Sequence, residues 1–240
     1  MDLAPRIDHT LLKPEADTEA IDQLTHEAIT HGFATVCVNG CHVERVARRL
    51  KATSAPTVAC GVAGFPLGAG KPTVIAIEAA SLVKDGAAEV DMVAPLPLLL
   101  RCDLDSARMW VSEVVRAARA ANPRVIFKLI IESAVLMSGV SDTEAEGRIE
   151  TACRIARESG CDFVKSSTGF HPAGGATVEA VKLMRAHAGP LKLKAAGGIR
   201  TREDAMHMVE AGADRLGCSA SVAIVAGEMG ADAATARKGY

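Results

Sequence analysis

Three charged side chains sit in apolar strings where an inert core would carry aliphatics: Asp91 in EVDMV, Lys165 in DFVKSS and Lys194 in LKLKAAGG. Two lysines projecting from neighbouring strands into one dry space disfavour each other's charge. One of them can then lose its proton near neutral pH and attack a carbonyl. The protonated imine so formed is an electron sink, through which a C–C bond breaks or, by way of an enamine, forms. An aspartate beside it can move protons among water, the imine carbon and a hydroxyl. The residues alone therefore point to lysine imine chemistry. For any one strand lysine the plainer reading is an outward-facing or ion-paired side chain. For three such groups near strand C-termini the functional reading is favoured, because burying ions costs several kcal/mol each unless they are paired (on the order of this size even after relaxation). Lys128 and Lys192 fall deeper in their strands and read mainly as charge balance.

The elements that would hold these groups follow from a faint repeat. Glycine closes a helical stretch and an apolar strand begins just after it, at His31-Gly32-Phe33, Asp85-Gly86-Ala87, Ser159-Gly160-Cys161 and Ala211-Gly212-Ala213. Glycine is favoured just past a helix C-terminus. The strands expected are 6–10, 33–38, 57–63, 89–94, 125–132, 162–167, 191–196 and 215–218. Amphipathic helices lie between them, such as 18–30, 74–84, 104–121, 143–158, 177–186 and 203–210. Asp142 and Thr201 read as helix starts. Strict alternation implies parallel strands joined by crossover helices. Eight units in 240 residues favour an α/β fold of one class, a single (β/α)8 TIM barrel, over an open doubly wound sheet. No dinucleotide-type glycine fingerprint follows the first strand. The barrel is expected over 1–226, with a C-terminal tail at 227–240. Catalytic groups belong at the C-terminal ends of the strands.

Composition narrows the partners. The formal net charge of −2 marks no nucleic acid and no anionic membrane. The apolar runs are far shorter than the ~20 residues of a membrane span, and the N-terminus has no signal-peptide pattern. A cytoplasmic protein acting on a small molecule is the expectation. Seven cysteines do not suit a secreted disulfide framework. Cys37 and Cys41 are close in sequence, but no second pair completes a metal site, so no metal is expected. Self-association into a homo-oligomer is left open.

The strings carrying these residues resemble those of the 2-deoxyribose-5-phosphate aldolases along nearly the whole chain. They are IDHTLL (Ile7 to Leu12), VCVN (Val36 to Asn39), GFPLG (Gly64 to Gly68), EVDMV (Glu89 to Val93), LIIE (Leu129 to Glu132), DFVKSSTGF (Asp162 to Phe170) and LKLKAAGGIRT (Leu191 to Thr201). The last two are very specific together; EVDMV alone would mean little. The resemblance implies a class I aldolase on a β/α barrel, with no metal and no cofactor. It puts the Schiff-base lysine at Lys165, a second lysine at Lys194 and a proton-relay aspartate at Asp91. Asp8 and Tyr240 are further candidates, Tyr240 because some members of the family end in a tyrosine that assists proton transfer at the enamine carbon. A disordered tail is the competing reading. The reaction implied is reversible cleavage of 2-deoxyribose 5-phosphate to acetaldehyde and glyceraldehyde 3-phosphate.

The phosphate end has its own physical basis. Gly169, Gly197 and Gly198 leave backbone N–H groups approachable beside Thr168, and Gly217 to Ser221 should open a short last helix whose N-terminus favours an anion. Ordinary glycine turns are the plainer reading. Ser219 is the expected hydroxyl donor, and Arg200 either helps it or pairs with an acid on the next helix. Two stretches depart from the family. Ala220 stands where a further hydroxyl is common, and Ala94 to Leu100 should form a proline- and leucine-rich loop at the catalytic end. Two other functions compete. A Schiff-base lyase for keto-acid sugar phosphates would need a cation for the substrate carboxylate. A non-catalytic sugar-phosphate-binding barrel would not need all three charged groups.

Overall fold

The four repeat glycines all take positive φ, at 69°, 104°, 79° and 111° for Gly32, Gly86, Gly160 and Gly212. Each ends a helix and turns the chain into a strand, which is the repeat read from the sequence. The computed structural model describes residues 1–227. A short 3-10 turn, Ala4–Arg6, leads into β1 (Ile7–Leu11) and α1 (Thr18–His31). There follow β2 (Thr35–Val38), α2 (Gly40–Lys51), β3 (Val58–Ala63), α3 (Pro72–Lys84) and β4 (Glu89–Val93). The middle of the chain forms α4 (Leu96–Leu100), α5 (Leu104–Ala121), β5 (Ile126–Ile130), α6 (Ser133–Met137), α7 (Asp142–Glu158) and β6 (Phe163–Lys165). The last units are α8 (Val178–His187), β7 (Lys192–Ala196), α9 (Arg202–Glu210), β8 (Arg215–Cys218) and α10 (Ser221–Ala226). The eight strands pair in sequence order, all parallel, and β8 closes on β1 with Ile7 opposite Leu216. The expected barrel is the observed one.

Helix starts follow the capping residues. Asp17 and Asp103 accept the N–H groups of Ala20 and Ser106, and Thr201 with Asp204 forms a reciprocal capping box. α7 begins at Asp142, the start read from the sequence, and the Ser141 side chain before it accepts from Glu144 N–H. The Ala94 to Leu100 stretch, expected as a loop, is helical from Leu96 onward. Prolines fit the first helical turn, where an N–H is dispensable, and Leu96–Leu100 forms α4 with Leu99 buried.

Two strands stop two residues earlier than expected. β6 ends at Lys165 rather than Ser167, because the Ser166 and Ser167 hydroxyls bond the Ala196 carbonyl at 3.2 and 2.7 Å in place of a regular ladder. β5 ends at Ile130 because Glu132 turns into a left-handed conformation, φ 50°. The main apolar core fills the layer between sheet and helices. Inside the barrel the filling is different. Leu12, Cys37, Cys60 and Val62 form a small apolar patch, and beside it lie the buried charges of Asp8, Glu89, Asp91, Lys128, Lys165 and Lys194.

Candidate active site

Strand register places the charges side by side. Asp91 pairs with Lys128 across β4 and β5, Lys165 with Lys194 across β6 and β7, and Lys194 with Arg215 across β7 and β8. Asp91 sits at the centre: its Oδ2 lies 2.8 Å from Lys165 Nζ and 2.7 Å from Lys194 Nζ, and its Oδ1 lies 2.8 Å from Lys128 Nζ. The three residues singled out for chemistry are thus in direct contact, and all are buried. Gly217 makes room for this, since a Cβ there would stand 3.0 Å from Lys194 Cε.

The other partners distinguish the three ammonium groups. Lys194 has a second carboxylate, Asp8, at 2.5 Å. Lys128 has Glu89 at 2.5 Å and Asp8 at 3.9 Å. Arg215 closes the far end on Asp8 at 2.6 Å and Glu89 at 3.3 Å. Among the described residues Lys165 has Asp91 alone, already shared with two other cations. The ion-paired cluster therefore sets four cations, Lys128, Lys165, Lys194 and Arg215, against three carboxylates, Asp8, Glu89 and Asp91.

Proton affinities follow. Burial works against the charge of Asp91, yet Lys128, Lys165 and Lys194 outweigh it and hold the carboxyl well below the usual range. Asp8 is lowered in the same way by Lys194, Lys128 and Arg215 against the effect of burial. Burial also opposes the charge on Lys194, but Asp8 and Asp91 raise its proton affinity above the ordinary lysine range. This corrects the expectation that the two site lysines simply depress one another: Lys194 is the member held charged, because it has carboxylates on both sides.

Above this floor is a cavity of about 290 Å³ at the C-terminal ends of the strands. Lys165 reaches it, together with Thr168, Gly169, Gly197, Gly198, Arg200 and Ser219. Asp91 and Lys194 lie beneath, off its wall. The walls are pinned from below. Thr168 N–H donates to the Glu132 carboxylate, and Ser133 N–H to Ser166 O at 2.8 Å. Gly197 has φ 86°, and a Cβ there would come within 2.7 Å of Ser167 Oγ; no other residue fits. The N–H groups of Gly197, Gly198 and Ser219 meet no acceptor among the described residues. Gly169 is different from expectation, because its N–H already donates to Ser167 Oγ at 3.2 Å. The helix after Ser219 begins at Ser221 with Ala220 as an N-cap that gives no side-chain hydrogen bond. Arg200 does not form the ion pair considered from sequence; its backbone N–H, not its guanidinium, bonds Asp204.

Cys41, close to Cys37 in sequence, is exposed on α2. Cys37 instead meets Cys60 on the next strand, and with Asp91 the two sulfurs lie within 4.8 Å of one another. This trio does not fit a cation, since three ammonium groups already surround Asp91.

A DeoC/LacD family aldolase profile matches residues 3–233. The chain is 46% identical over 226 residues to the deoxyribose-phosphate aldolase of Thermoanaerobacter sp. (strain X514), covering 94% of this chain and 96% of that one. It is 43% identical over 231 residues to the enzyme of the same name from Enterococcus faecalis, covering 96% and 99%. Among solved structures, the tetrameric deoxyribose phosphate aldolase from Aeropyrum pernix superposes with a TM-score of 0.82 at 30% identity, covering 93% of this chain and 89% of that one. The chain belongs to the DeoC/LacD aldolase family. As an aldolase of that family it is a carbon–carbon lyase, and its fold agrees with the sequence resemblance.

Some features of this family aldolase's pocket were not singled out from sequence. Lys13, in the loop after β1, lines the cavity, as Arg200 does. It directly follows the IDHTLL string, which was the available signal. Phe65 and Phe170 meet edge to face at 5.1 Å, and both belong to strings quoted for the resemblance, GFPLG and DFVKSSTGF. Asp8, only a further candidate from sequence, contacts Lys194 directly. Tyr240 lies outside the described residues. Among the described residues no helix is long and apolar enough to cross a membrane.

Proposed function

We propose that the chain reversibly cleaves 2-deoxy-D-ribose 5-phosphate to acetaldehyde and D-glyceraldehyde 3-phosphate through an imine on Lys165. The observation that carries this reading is that Lys165 is both the buried lysine that reaches the cavity and the interior cation with the fewest carboxylate partners. Lys194 and Lys128, by contrast, each contact two or more carboxylates.

The amine of Lys165 attacks C1 of the open-chain sugar, the carbonyl oxygen leaves as water, and an iminium remains. Removal of the C3 hydroxyl proton then breaks the C2–C3 bond. Glyceraldehyde 3-phosphate departs and the bonding pair stays on the enzyme as an enamine. Protonation of the enamine at C2 and hydrolysis of the imine release acetaldehyde and restore the lysine. Asp91 and Lys194 divide the proton traffic. The environment keeps Asp91 ionised as an acceptor and Lys194 protonated as a donor, the separation that acid and base partners require. The free N–H groups of Gly197, Gly198 and Ser219 receive the phosphate, with the Ser219 hydroxyl as a further donor and Lys13 and Arg200 flanking it; Thr168 and Gly169 shape the adjoining wall. No metal or cofactor is called for in this sequence of steps. Seven free cysteines suit a reducing cytoplasm, and the Aeropyrum pernix tetramer supports an assembly of identical copies here.

Borohydride added with acetaldehyde should leave a two-carbon mark on the peptide containing Lys165. A mark confined to Lys194, Lys192 or Lys128 overturns the assignment.

A further inference from the structure

The charges beneath the site continue to the opposite mouth of the barrel. Arg215 begins β8 at that end, with its side chain 15% exposed, and with Glu89 it lines a second cavity of about 390 Å³ there. From it a line of alternating charge runs through Asp8, Lys194 and Asp91 to Lys165, with contacts of 2.6, 2.5, 2.7 and 2.8 Å. A parallel branch runs from Arg215 through Glu89 and Lys128 to Asp91, at 3.3, 2.5 and 2.8 Å.

We propose that Arg215 and Glu89 are positioning residues of opposite sign that act through this line to set the pH at which Lys165 forms its imine. The inference rests on Lys165 being the nucleophile. Neither residue reaches the cavity that holds the substrate, so neither can touch reacting atoms. Both are nevertheless locked into the cluster that surrounds Lys165, in an interior where charges are weakly screened. The ionisable groups of the cluster around Lys165 come from the seven other strands of the barrel. They are Asp8 on β1, Cys37 on β2, Cys60 on β3, Glu89 and Asp91 on β4, Lys128 on β5, Lys194 on β7 and Arg215 on β8, with Asp91 in direct contact with Lys165. Lys192 lies lower on β7, with its ammonium 5.8 Å from the Phe163 ring. Glu132, past the end of β5, directs its carboxylate to Thr168 N–H instead.

The signs are opposite. Loss of Arg215 removes a positive charge, favours protonated lysines and moves the acid limb of imine formation to higher pH. Loss of Glu89 removes a negative charge and moves that limb to lower pH. Arg215 and Lys165 lie two strand spacings apart, about 10 Å. At an effective dielectric constant near 20, that distance gives a shift on the order of one pH unit.

The experiment is the pH dependence of cyanoborohydride trapping of acetaldehyde, read as the mass of the Lys165 peptide. It compares wild type with Arg215→Met, Arg215→Lys, Glu89→Gln and the Arg215→Met/Glu89→Gln double variant. The expected result is an alkaline shift for Arg215→Met and an acid shift for Glu89→Gln, with limbs near wild type for Arg215→Lys and the double. Unmoved limbs, or shifts of the same sign in both single variants, overturn the proposal and leave the pair as packing. Should Arg215→Met fail to fold, Glu89→Gln decides alone: an unmoved or alkaline limb overturns the proposal. If wild type itself takes no mark at Lys165, the nucleophile assignment is what has failed.

Discussion

Replacing Asp91 with Asn removes one charge and leaves the shape of the side chain. Three ammonium groups bond that carboxylate at 2.7–2.8 Å, and none of its surface is exposed. The amide presents one acceptor oxygen and an NH2 group that faces an ammonium donor to donor. The interior count changes from four cations against three carboxylates to four against two. Breaking a buried ion pair by removing one partner costs about 3–5 kcal/mol. Set against a domain stability of ~5–15 kcal/mol, this leaves a folded barrel whose melting temperature falls by roughly 6–20 °C at 2–4 °C per kcal/mol. Loss of an acid–base group lowers turnover by a further ~10²- to 10⁴-fold. The assay is calorimetry at pH 7 beside cleavage of deoxyribose 5-phosphate, with acetaldehyde read through a coupled reductase. A cooperative melt with turnover near wild type removes Asp91 from the proton path. A chain that no longer folds shows that its part is structural first.

Two further outcomes follow from the same geometry. Ser219→Ala should raise KM for deoxyribose 5-phosphate by on the order of tenfold, since hydrogen bonds to charged groups are worth ~1.5–3 kcal/mol, while unphosphorylated deoxyribose is turned over as before; equal effects on both substrates move the phosphate elsewhere. Asp8 is lowered in the folded state, so its contribution to stability is fully present above the unfolded value near ~3.9 and is lost as pH falls through the folded one. Asp8→Asn should therefore be less stable than wild type at pH 7, with the gap in denaturant midpoints narrowing below about pH 4; a gap independent of pH rules this linkage out.

The barrel was legible because glycine and apolar runs recur in sequence, and each glycine that closes a helix needs a backbone that others avoid. Strand ends were less legible. Ser166 and Ser167 look like strand residues, and their hydroxyls replace ladder bonds only because Ala196 of β7 lies alongside. The Leu96–Leu100 helix was read as a loop because two prolines in seven residues suggest a break, although proline is well placed in a first turn. For the site, alternation along single strands was enough to turn Asp91, Lys165 and Lys194 inward. What alternation cannot supply is the order of neighbours across strands. That order makes Asp8 the second partner of Lys194, brings Cys60 rather than Cys41 to Cys37, and joins Arg215 to Asp8 and Glu89, each more than a hundred residues away in sequence.

The lower part of the interior offers a way to separate stability from catalysis. Lys128 and Glu89 are buried and bonded at 2.5 Å, and such a pair replaced by apolar residues of similar volume is often neutral or stabilising by about 1–4 kcal/mol. Removing both at once leaves three cations, Lys165, Lys194 and Arg215, facing two carboxylates, Asp8 and Asp91. The cluster's excess of one positive charge is unchanged. Lys128→Met/Glu89→Leu should therefore melt at or above the wild-type temperature and retain cleavage within about tenfold, the spread that ~1.4 kcal/mol of altered electrostatics allows. Lys128→Met alone gives three against three and leaves Glu89 buried without its lysine, so it should be the less stable protein. Calorimetry and turnover on the two variants decide the matter. If the double variant falls to the level of Asp91→Asn, then Lys128 takes part in the proton transfer and charge count is not what governs the site.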